Sequence, residues 1–459
     1  MINTIVILGA SGDLTARFLF PAILRLHEDG NLPEDFRIVG IARNDWNTEK
    51  FRRHVEEKMA ESTSRKASSS CEAIFANTEY HQSDVTDHDH LAQVLDSITD
   101  PVVVYLALPP SLFKPTVKTL AALKLPKGSK LVLEKPFGTD LASAQELNNL
   151  LHASFPERDV FRLDHFLGKQ TVQNILGFRF TNRVFEPLWN SQHIERVEII
   201  WDETLTASGR ASFYDATGAV RDMIQNHLLQ LLALIGMEPL HQLNERTLRD
   251  HKVEVLQAVR RLSPEEVVRQ TVRGRYGHGT IDGQDIVSYT EEKDVDPKRK
   301  TETFAQVGLS IDNWRWAGVP FLLRTGKALG RDRREIAIRF KAVPHLAFGQ
   351  QSQPKPNVLK IELNPERIGL SINVNEAGDL FDLDRIELDH TFKSTGLPPY
   401  SRLLLDVLEG DPMFSIRDDE AEESWRIVEP ILTVWDKGGV PLAEYPAGSD
   451  GPADPDHAG

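Results

Sequence analysis

The sequence predicts a two-part α/β chain: a doubly wound parallel sheet over residues 1–170, then an α+β part over 171–459 built on a large, mainly antiparallel sheet. Three observations predict it. β-Branched or aromatic runs alternate with amphipathic segments in the first part, polar-apolar alternation dominates the second, and a glycine turn directly follows the first run.

In the first part "TIVILGA", "FRIVGIA", "PVVVYLAL", "KLVLEKP" and "VFRLDHF" have strand length and strand composition. Pieces such as "LFPAILRLHEDG" and "DLASAQELNNLLHASF" read as the helices between them. Such alternation makes a parallel sheet covered on both faces, with ligands at the carboxyl ends of its strands. The serine-rich "AESTSRKASSSCEA" around residues 60–73 reads as a loop. From about residue 171, "RVEIIWDETL", "VRGRYGHGTI", "FAQVGLSIDNWRW", "EIAIRFKAV", "VLKIELNP" and "GLSINVNE" alternate as half-buried strands do. Long helical intervals are mostly missing between them, which favours antiparallel pairing. "GAVRDMIQNHLLQLLALIGM" and "PYSRLLLDVLEG" stand out as helices, and "YPAGSDGPADPDHAG" reads as a frayed tail.

Bulk properties narrow the function. The 459 residues carry 53 Lys and Arg against 68 Asp and Glu, a formal charge of −15. That argues against nucleic acid, whose phosphates need a basic footprint, but leaves room for a small phosphorylated ligand held by a local cationic cluster. A single cysteine, Cys71, excludes an internal disulfide and fits a reducing compartment. With no signal peptide and no apolar run long enough to span a bilayer, the expectation is a cytoplasmic protein without a membrane partner.

The turn after the first run carries the first chemistry. Gly9 lets the backbone turn, and Gly12 lets amides approach a diphosphate at a helix start. Ser11 lies between them, and Asp13 is expected to cap the first turn. A tight turn without a ligand is the alternative. The second run ends at Arg43, where an acid would repel a 2′-phosphate and a guanidinium would clasp it, so NADP is favoured over NAD. Asp45 leaves room for dual use, and a solvated surface arginine is the plain reading of Arg43. Past "VFRL" come Asp164, His165 and Lys169. If a helical turn begins there, the last two share a face and form a seat for a phosphate dianion. In the later helix Ile224, Leu228, Leu231 and Ile235 make an apolar stripe, with Asp222, Asn226 and His227 off it. A satisfied core histidine competes there with a catalytic one. Lys327 follows in "LRTGKAL". Lys135 precedes Pro136, which suggests a constrained backbone and a cis bond. No His, Cys or Asp set has metal-ligand spacing, and no P-loop is present.

The ordered series "GASGDL", "YLALPPSLF", "EKPFG", "RLDHFLGK", "RDMIQNHLLQ", "IDNWRWAGVPF" and "LRTGK", continued by "RLLLDVLEGD" and "ESWRIVEPIL", resembles the glucose-6-phosphate dehydrogenase family over nearly the whole chain. "RLDHFLGK" matches a highly specific signature. The resemblance implies a Rossmann-like N-terminal domain and a C-terminal domain whose large sheet forms a dimer interface, hence a homodimer or homotetramer. It implies oxidation of glucose 6-phosphate with NADP. His227 takes the proton of the C1 hydroxyl, and Asp164 holds that imidazole and stabilises its charged form. Phosphate contacts fall on His165 and Lys169, and sugar-hydroxyl contacts on Glu203 and Asp222. Lys135 lies between sugar and nicotinamide, and Lys327 faces the sugar. Gly9, Ala10, Ser11, Gly12, Asp13, Leu14, Arg43, Asp84 and Val85 would contact the cofactor.

Four positions depart from the family pattern. Phe18 replaces a lysine, Phe166 a tyrosine and Asp332 a basic residue flanked here by Arg331 and Arg333, and Asp450 stands where tryptophan is usual. Two of these changes remove a cation and one a hydrogen-bond donor. They suggest, as a runner-up, the same chemistry on a different or modified sugar phosphate. A non-catalytic NADP-binding subunit is the third reading, and retention of both His227 and Asp164 counts against it.

Overall fold

The β-branched runs at the start of the chain become the strands of a six-stranded parallel sheet. β1 (Thr4–Leu8), β2 (Arg37–Ala42), β3 (Thr78–Gln82), β4 (Val103–Leu106), β5 (Lys130–Glu134) and β6 (Val160–Leu163) pair in the order β3-β2-β1-β4-β5-β6. All five pairings are parallel. The reversal between β1 and β4 is the switch point at which doubly wound sheets open a ligand crevice. β1 and β4 are buried along their whole length, as strands covered on both faces must be. The structure is a computed structural model describing residues 1–62, 69–347, 354–375, 383–392 and 396–453.

β3 was not expected from the sequence. Its "TEYHQ" is polar and short, and only Thr78 and Tyr80 turn fully inward. That suits a strand at the sheet edge but hides it from hydropathy. The segment expected to be a loop around residues 60–73 is instead helical at both ends, in Thr48–Ser62 and Ser69–Ala76. Its centre, 63–68, lies outside the described residues.

The chain divides into two compact units. One comprises Met1–Lys169, His241–Arg249 and Thr395–Glu422, and the other Gln170–Leu240, Asp250–Ser394 and Glu423–Gly459. In the first, the helix Pro399–Glu409 returns from far along the chain to the sheet's core. Its Leu403, Leu404, Val407 and Leu408 join Ile5, Phe20, Phe36 and Tyr105 there. Burial of each such side chain contributes roughly 1.5–3 kcal/mol.

The second unit is built on a nine-stranded sheet. Its strands are β7 (Ile194–Asp202), β8 (Thr271–Gly277), β11 (Phe304–Ser310), β12 (Pro320–Gly326), β13 (Arg333–Phe340), β14 (Val358–Leu363), β15 (Glu366–Asn375), β16 (Leu383–Thr391) and β17 (Leu442–Pro446). They run in the order β16-β15-β14-β13-β7-β12-β11-β8-β17, with a separate hairpin of β9 (Gly279–Ile281) and β10 (Gln284–Ile286). Pairing is antiparallel except between β12 and β7 and between β17 and β8. The mainly antiparallel expectation therefore holds, although β12, β16 and β17 were not read from the sequence. Helices are also more plentiful than expected, including Gln170–Thr181 and Glu245–Ala258.

The expected frayed tail is corrected at its start. Tyr445 and Ala447 are buried, β17 pairs with β8, and the Tyr445 hydroxyl donates to the Lys327 carbonyl at 2.7 Å. One aromatic ring and a free strand edge outweighed the Pro- and Gly-rich composition. Residues 454–459 lie outside the described residues. Among the described residues no helix is long and apolar enough to cross a membrane.

Candidate active site

In the first unit the predicted groups sit at the carboxyl ends of the parallel strands. After β1, Gly9 has φ +85°, and a Cβ there would run into the Ala107 carbonyl oxygen after β4. Only glycine fits that turn. The Gly9 and Ala10 amides donate to the Ile41 carbonyl at 2.8 and 3.1 Å, and the Gly12 amide to the Gly9 carbonyl at 3.0 Å. Gly12 thus closes the turn rather than offering its own amide. Asp13 does not cap: its carboxylate lies 3.6 Å from Arg17 in an exposed pair. The helical segment begins beside it, so the anion-attracting amides are those of the first turn, around Asp13 and Leu14.

Three side chains shape the neighbouring loops. Ser11 Oγ donates to Asn44 Oδ1 at 2.7 Å, tying the glycine turn to the loop after β2. Tyr80 on β3 donates to the Ala42 and Asn44 carbonyls at 3.1 and 2.9 Å, and burial pushes its hydroxyl up to about 12. The loop it pins carries Arg43, whose side chain is exposed. Asp84, past β3, accepts from the Thr86 hydroxyl and amide at 2.7 and 2.9 Å, which hold its carboxyl below the usual range, with a smaller contribution from Arg43. Its neighbour Val85 is buried. A turn that only glycine fits, first-turn amides and a nearby exposed guanidinium suit a phosphorylated dinucleotide.

At the end of β5, Glu134 is partly buried and accepts a hydrogen bond from the Tyr105 hydroxyl. Desolvation drives its carboxyl up to about 7, opposed by that bond and by the Lys135 charge. The Lys135–Pro136 bond is cis, as the sequence suggests.

After β6 the signature folds as consecutive tight turns. The Leu167, Gly168 and Lys169 amides donate to the carbonyls three residues back at 3.0, 3.3 and 3.1 Å, and Asp164 Oδ1 accepts from the Phe166 amide at 2.9 Å. The α-helix starts only at Gln170, so the four-residue helical spacing expected for His165 and Lys169 is replaced by three-residue turns. A Cβ at Gly168 would come 2.5 Å from the Pro399 carbonyl oxygen, which explains the glycine. The His165 ring stacks on Tyr400 at 5.7 Å and 8°, and Phe18 meets the same tyrosine at 5.2 Å. Phe166 is buried beneath Lys169, whose Nζ lies 6.0 Å from its ring centre. Where the family pattern has a lysine and a tyrosine, this unit has aromatic packing around His165.

In the second unit, parallel pairing of β7 with β12 sets Asp202 opposite Gly326, so the residues that follow emerge together. Lys327 Nζ pairs with Glu203 at 2.7 Å, and Arg334 lies 3.6 Å from the same carboxylate. Lys327 also lies 5.3 Å from the Tyr214 ring centre. Burial pushes the Tyr214 hydroxyl well up, helped by the charges of Asp222 and Glu203. Asp332 is committed elsewhere: it accepts from the Thr204 amide at 2.8 Å and pairs with Arg334 at 3.2 Å. Arg333 is drawn to Asp202. Arg334, rather than either arginine flanking Asp332, therefore supplies the cation beside Glu203.

His227 and Asp222 lie on Val220–Leu228, a π-helical segment continued by the α-helix Leu229–Gly236. The Leu229 amide reaches back to Ile224, and Asn226 Nδ2 donates to the Arg221 carbonyl at 3.0 Å. Such wide turns recur at functional sites. The predicted stripe of Ile224, Leu228, Leu231 and Ile235 is buried, but so are His227 and every other residue from Met223 to Met237. The helix is thus enclosed all round rather than amphipathic. Tyr214, Arg334, Tyr400 and Glu134 were missed by the sequence reading. Only Arg334 had a signal, as a cation close to the expected basic position.

The glucose-6-phosphate dehydrogenase NAD binding domain profile matches residues 6–174, and the C-terminal domain profile of the same family matches residues 176–458. The chain is 41% identical to the glucose-6-phosphate 1-dehydrogenase of Mycolicibacterium smegmatis, over 98% of this chain and 94% of that one. It is 39% identical to the enzyme of that name from Bacillus subtilis, over 98% and 95%. A solved glucose-6-phosphate dehydrogenase in complex with its substrate glucose-6-phosphate superimposes with a TM-score of 0.89 at 33% identity, covering 99% of this chain and 96% of that one. The Mycobacterium avium enzyme gives 0.87 at 34%, covering 98% and 96%.

The Glu134 carboxyl has a stability consequence with a definite sign. It ionises at about 7 when folded and at ~4.3 when unfolded, so the folded state holds the proton more tightly. Its contribution is complete below the unfolded value and is lost as pH rises through about 7. Glu134→Gln is expected to gain stability relative to wild type between about pH 5 and pH 8, read by urea unfolding at each pH. A difference independent of pH would reject the assignment.

Proposed function

The chain belongs to the glucose-6-phosphate dehydrogenase family, and from that premise we propose that it oxidises D-glucose 6-phosphate at C1 to 6-phospho-D-glucono-1,5-lactone, using NADP. The observation that carries this reading is the turn 164–169 at the end of β6, which retains an acid, a stacked imidazole and an ammonium in the signature order.

His227 accepts the C1 hydroxyl proton, since an imidazole titrates near neutral pH and suits general-base work. Asp164 favours the charged imidazole, as a carboxylate partner does. His165 and Lys169 take the sugar's phosphate, the ring of His165 being fixed in plane by Tyr400. Glu203 and Asp222 accept from sugar hydroxyls. Lys327 and Arg334 hold the Glu203 side chain, so that it need not be ordered at the moment of binding. Gly9 to Leu14, Asp84 and Val85 hold the dinucleotide, Arg43 its 2′-phosphate, and Lys135 lies toward the reacting carbon. The nicotinamide, when bound, supplies the hydride acceptor. NAD is the second acceptor. A cytoplasmic homodimer or homotetramer completes the reading; the lone buried Cys71 suits a reducing compartment.

A second reading, the same oxidation on another sugar phosphate, is favoured by one observation: the Phe18 ring packs against Tyr400 where the family pattern has a cation.

His227→Asn is expected to lower kcat by at least about 10²-fold while the affinity for glucose 6-phosphate changes little, because general-base removal typically costs 10²–10⁴-fold. Near-normal turnover would reject the base. Arg43→Glu is expected to raise KM for NADP by about tenfold or more and leave KM for NAD nearly unchanged, in paired initial-rate measurements with both cofactors. Phe18→Lys should lower KM for glucose 6-phosphate several-fold. If it instead leaves that KM unmoved while another sugar phosphate outperforms glucose 6-phosphate on wild type, the second reading takes over.

A further inference from the structure

Behind the segment that carries Asp222 and His227, the second unit holds a cavity of about 410 Å³ lined chiefly by polar side chains. None of the groups assigned above to sugar or cofactor lines it. Five cations do: Arg221, Arg273, Lys298, Arg299 and Lys300. The volume falls in the range of small-molecule sites, roughly 300–1,000 Å³.

Three carboxylates face these cations, and each has its own partners. Asp215 accepts from the Tyr289 hydroxyl at 3.1 Å and the Asp296 amide at 3.2 Å, and pairs with Arg299 at 3.3 Å. Glu302 accepts from the Val220 amide at 3.1 Å and feels the charges of Arg221 and Arg273. Asp436 lies near Arg273, whose Nε donates to the Val440 carbonyl at 2.9 Å. Among the described residues Lys298 and Lys300 have no carboxylate within 4 Å, and both are exposed at the rim. The balance is two positive charges in excess, around a wall whose buried Arg273 is already desolvated.

We propose that this cavity is a second anion site, which takes the pyrophosphate group of a small molecule and acts on the segment Val220–Leu228. The link is Glu302. Its side chain accepts from the Val220 amide, and its carbonyl accepts from the Ala219 amide at 3.2 Å. It fills the kink at Gly218, where φ is +69° and a Cβ would come 2.5 Å from its carboxylate. An anion that draws Arg221 and Arg273 toward itself takes charge away from Glu302. The start of the segment loosens, and Asp222, next to Arg221, shifts with it. The expected effect is a lower kcat. This coupling rests on the roles assigned above to Asp222 and His227, whereas the binding does not.

The test titrates inorganic pyrophosphate into the full-length enzyme by calorimetry in magnesium-free buffer of low ionic strength, where exposed charges are least screened. Lys298→Ala/Lys300→Ala is expected to weaken binding at least about tenfold, and saturating glucose 6-phosphate is expected not to displace the ligand. In initial rates at saturating sugar phosphate, pyrophosphate should lower kcat of wild type and not of the double variant. No binding at millimolar pyrophosphate, or binding that glucose 6-phosphate displaces and the double variant retains, would overturn the site. Binding with unchanged kcat would overturn the coupling. A site that responds to the double variant in a chain without dehydrogenase turnover would sustain the anion site and reject the catalytic assignment instead.

Discussion

Parallel pairing is the constraint on which the rest of this molecule depends. Parallel strands end on the same edge, so whatever follows each strand is delivered to one line of space. In the first unit this brings the loops carrying Gly9, Arg43, Asp84, Lys135 and Asp164 to a common edge. The second unit is otherwise antiparallel, a pattern that scatters strand ends to both edges. The ion pair proposed above to meet the sugar appears at one of the two exceptions. β7 and β12 run in the same direction, in register through Asp202 and Gly326, and the next residue of each is half of the Glu203–Lys327 ion pair. Were β12 antiparallel to β7, those two side chains would leave from opposite ends of the strands.

Placement alone leaves long side chains free to wander, and the structure restrains them with aromatic rings. Tyr80 fixes the loop of Arg43 from beneath, Tyr400 fixes the plane of His165, and Tyr214 sits against Lys327. Ordering a Lys or Arg on binding costs roughly 1.5–2 kcal/mol of rotamer entropy, and neighbours that restrict it in advance reduce that cost. The two departures that remove cations are absorbed by the same means. Phe18 packs tilted against the Tyr400 ring on which His165 stacks, and Arg334 stands in for the basic residue that Asp332 does not supply.

Much of this was legible in the residues. Period and composition gave the two sheet types, the central strands of the first, the return helix at 399–409 and the long buried helix. Two of the misses, β3 and β17, share a cause: the decisive partner lay far along the chain. β3 has little apolar content of its own and forms because β2 offers an edge. β17 forms because β8 does, although the sequence around it is rich in Pro and Gly. Asp13 has the composition of a cap, but Arg17 lies one turn on and takes its carboxylate. The π-helical wind of Val220–Leu228 left no sign in a stripe spaced four, three and four, which an ordinary α-helix would also show. The order of the motifs named the candidate residues; it could not name Tyr214 and Glu134, because their significance lies in what surrounds them.

That wind bears on how His227 is held. A histidine on an exposed amphipathic helix would be fixed by one face, and the other would admit water. His227 lies instead in a helix buried all round, so its position follows from where the segment begins and how it turns. The beginning is set by Gly218, whose positive φ breaks the preceding helix, and by Glu302, which accepts both of the first amides across that break. A carboxylate in that location is expensive, and burial pushes it toward its neutral form, while the Val220 amide, Arg221 and Arg273 pull it back. The start of the segment that carries His227 therefore rests on an electrostatic balance around Glu302. A helix seated by packing alone would be indifferent to charge at its far side; this one begins on a buried carboxylate.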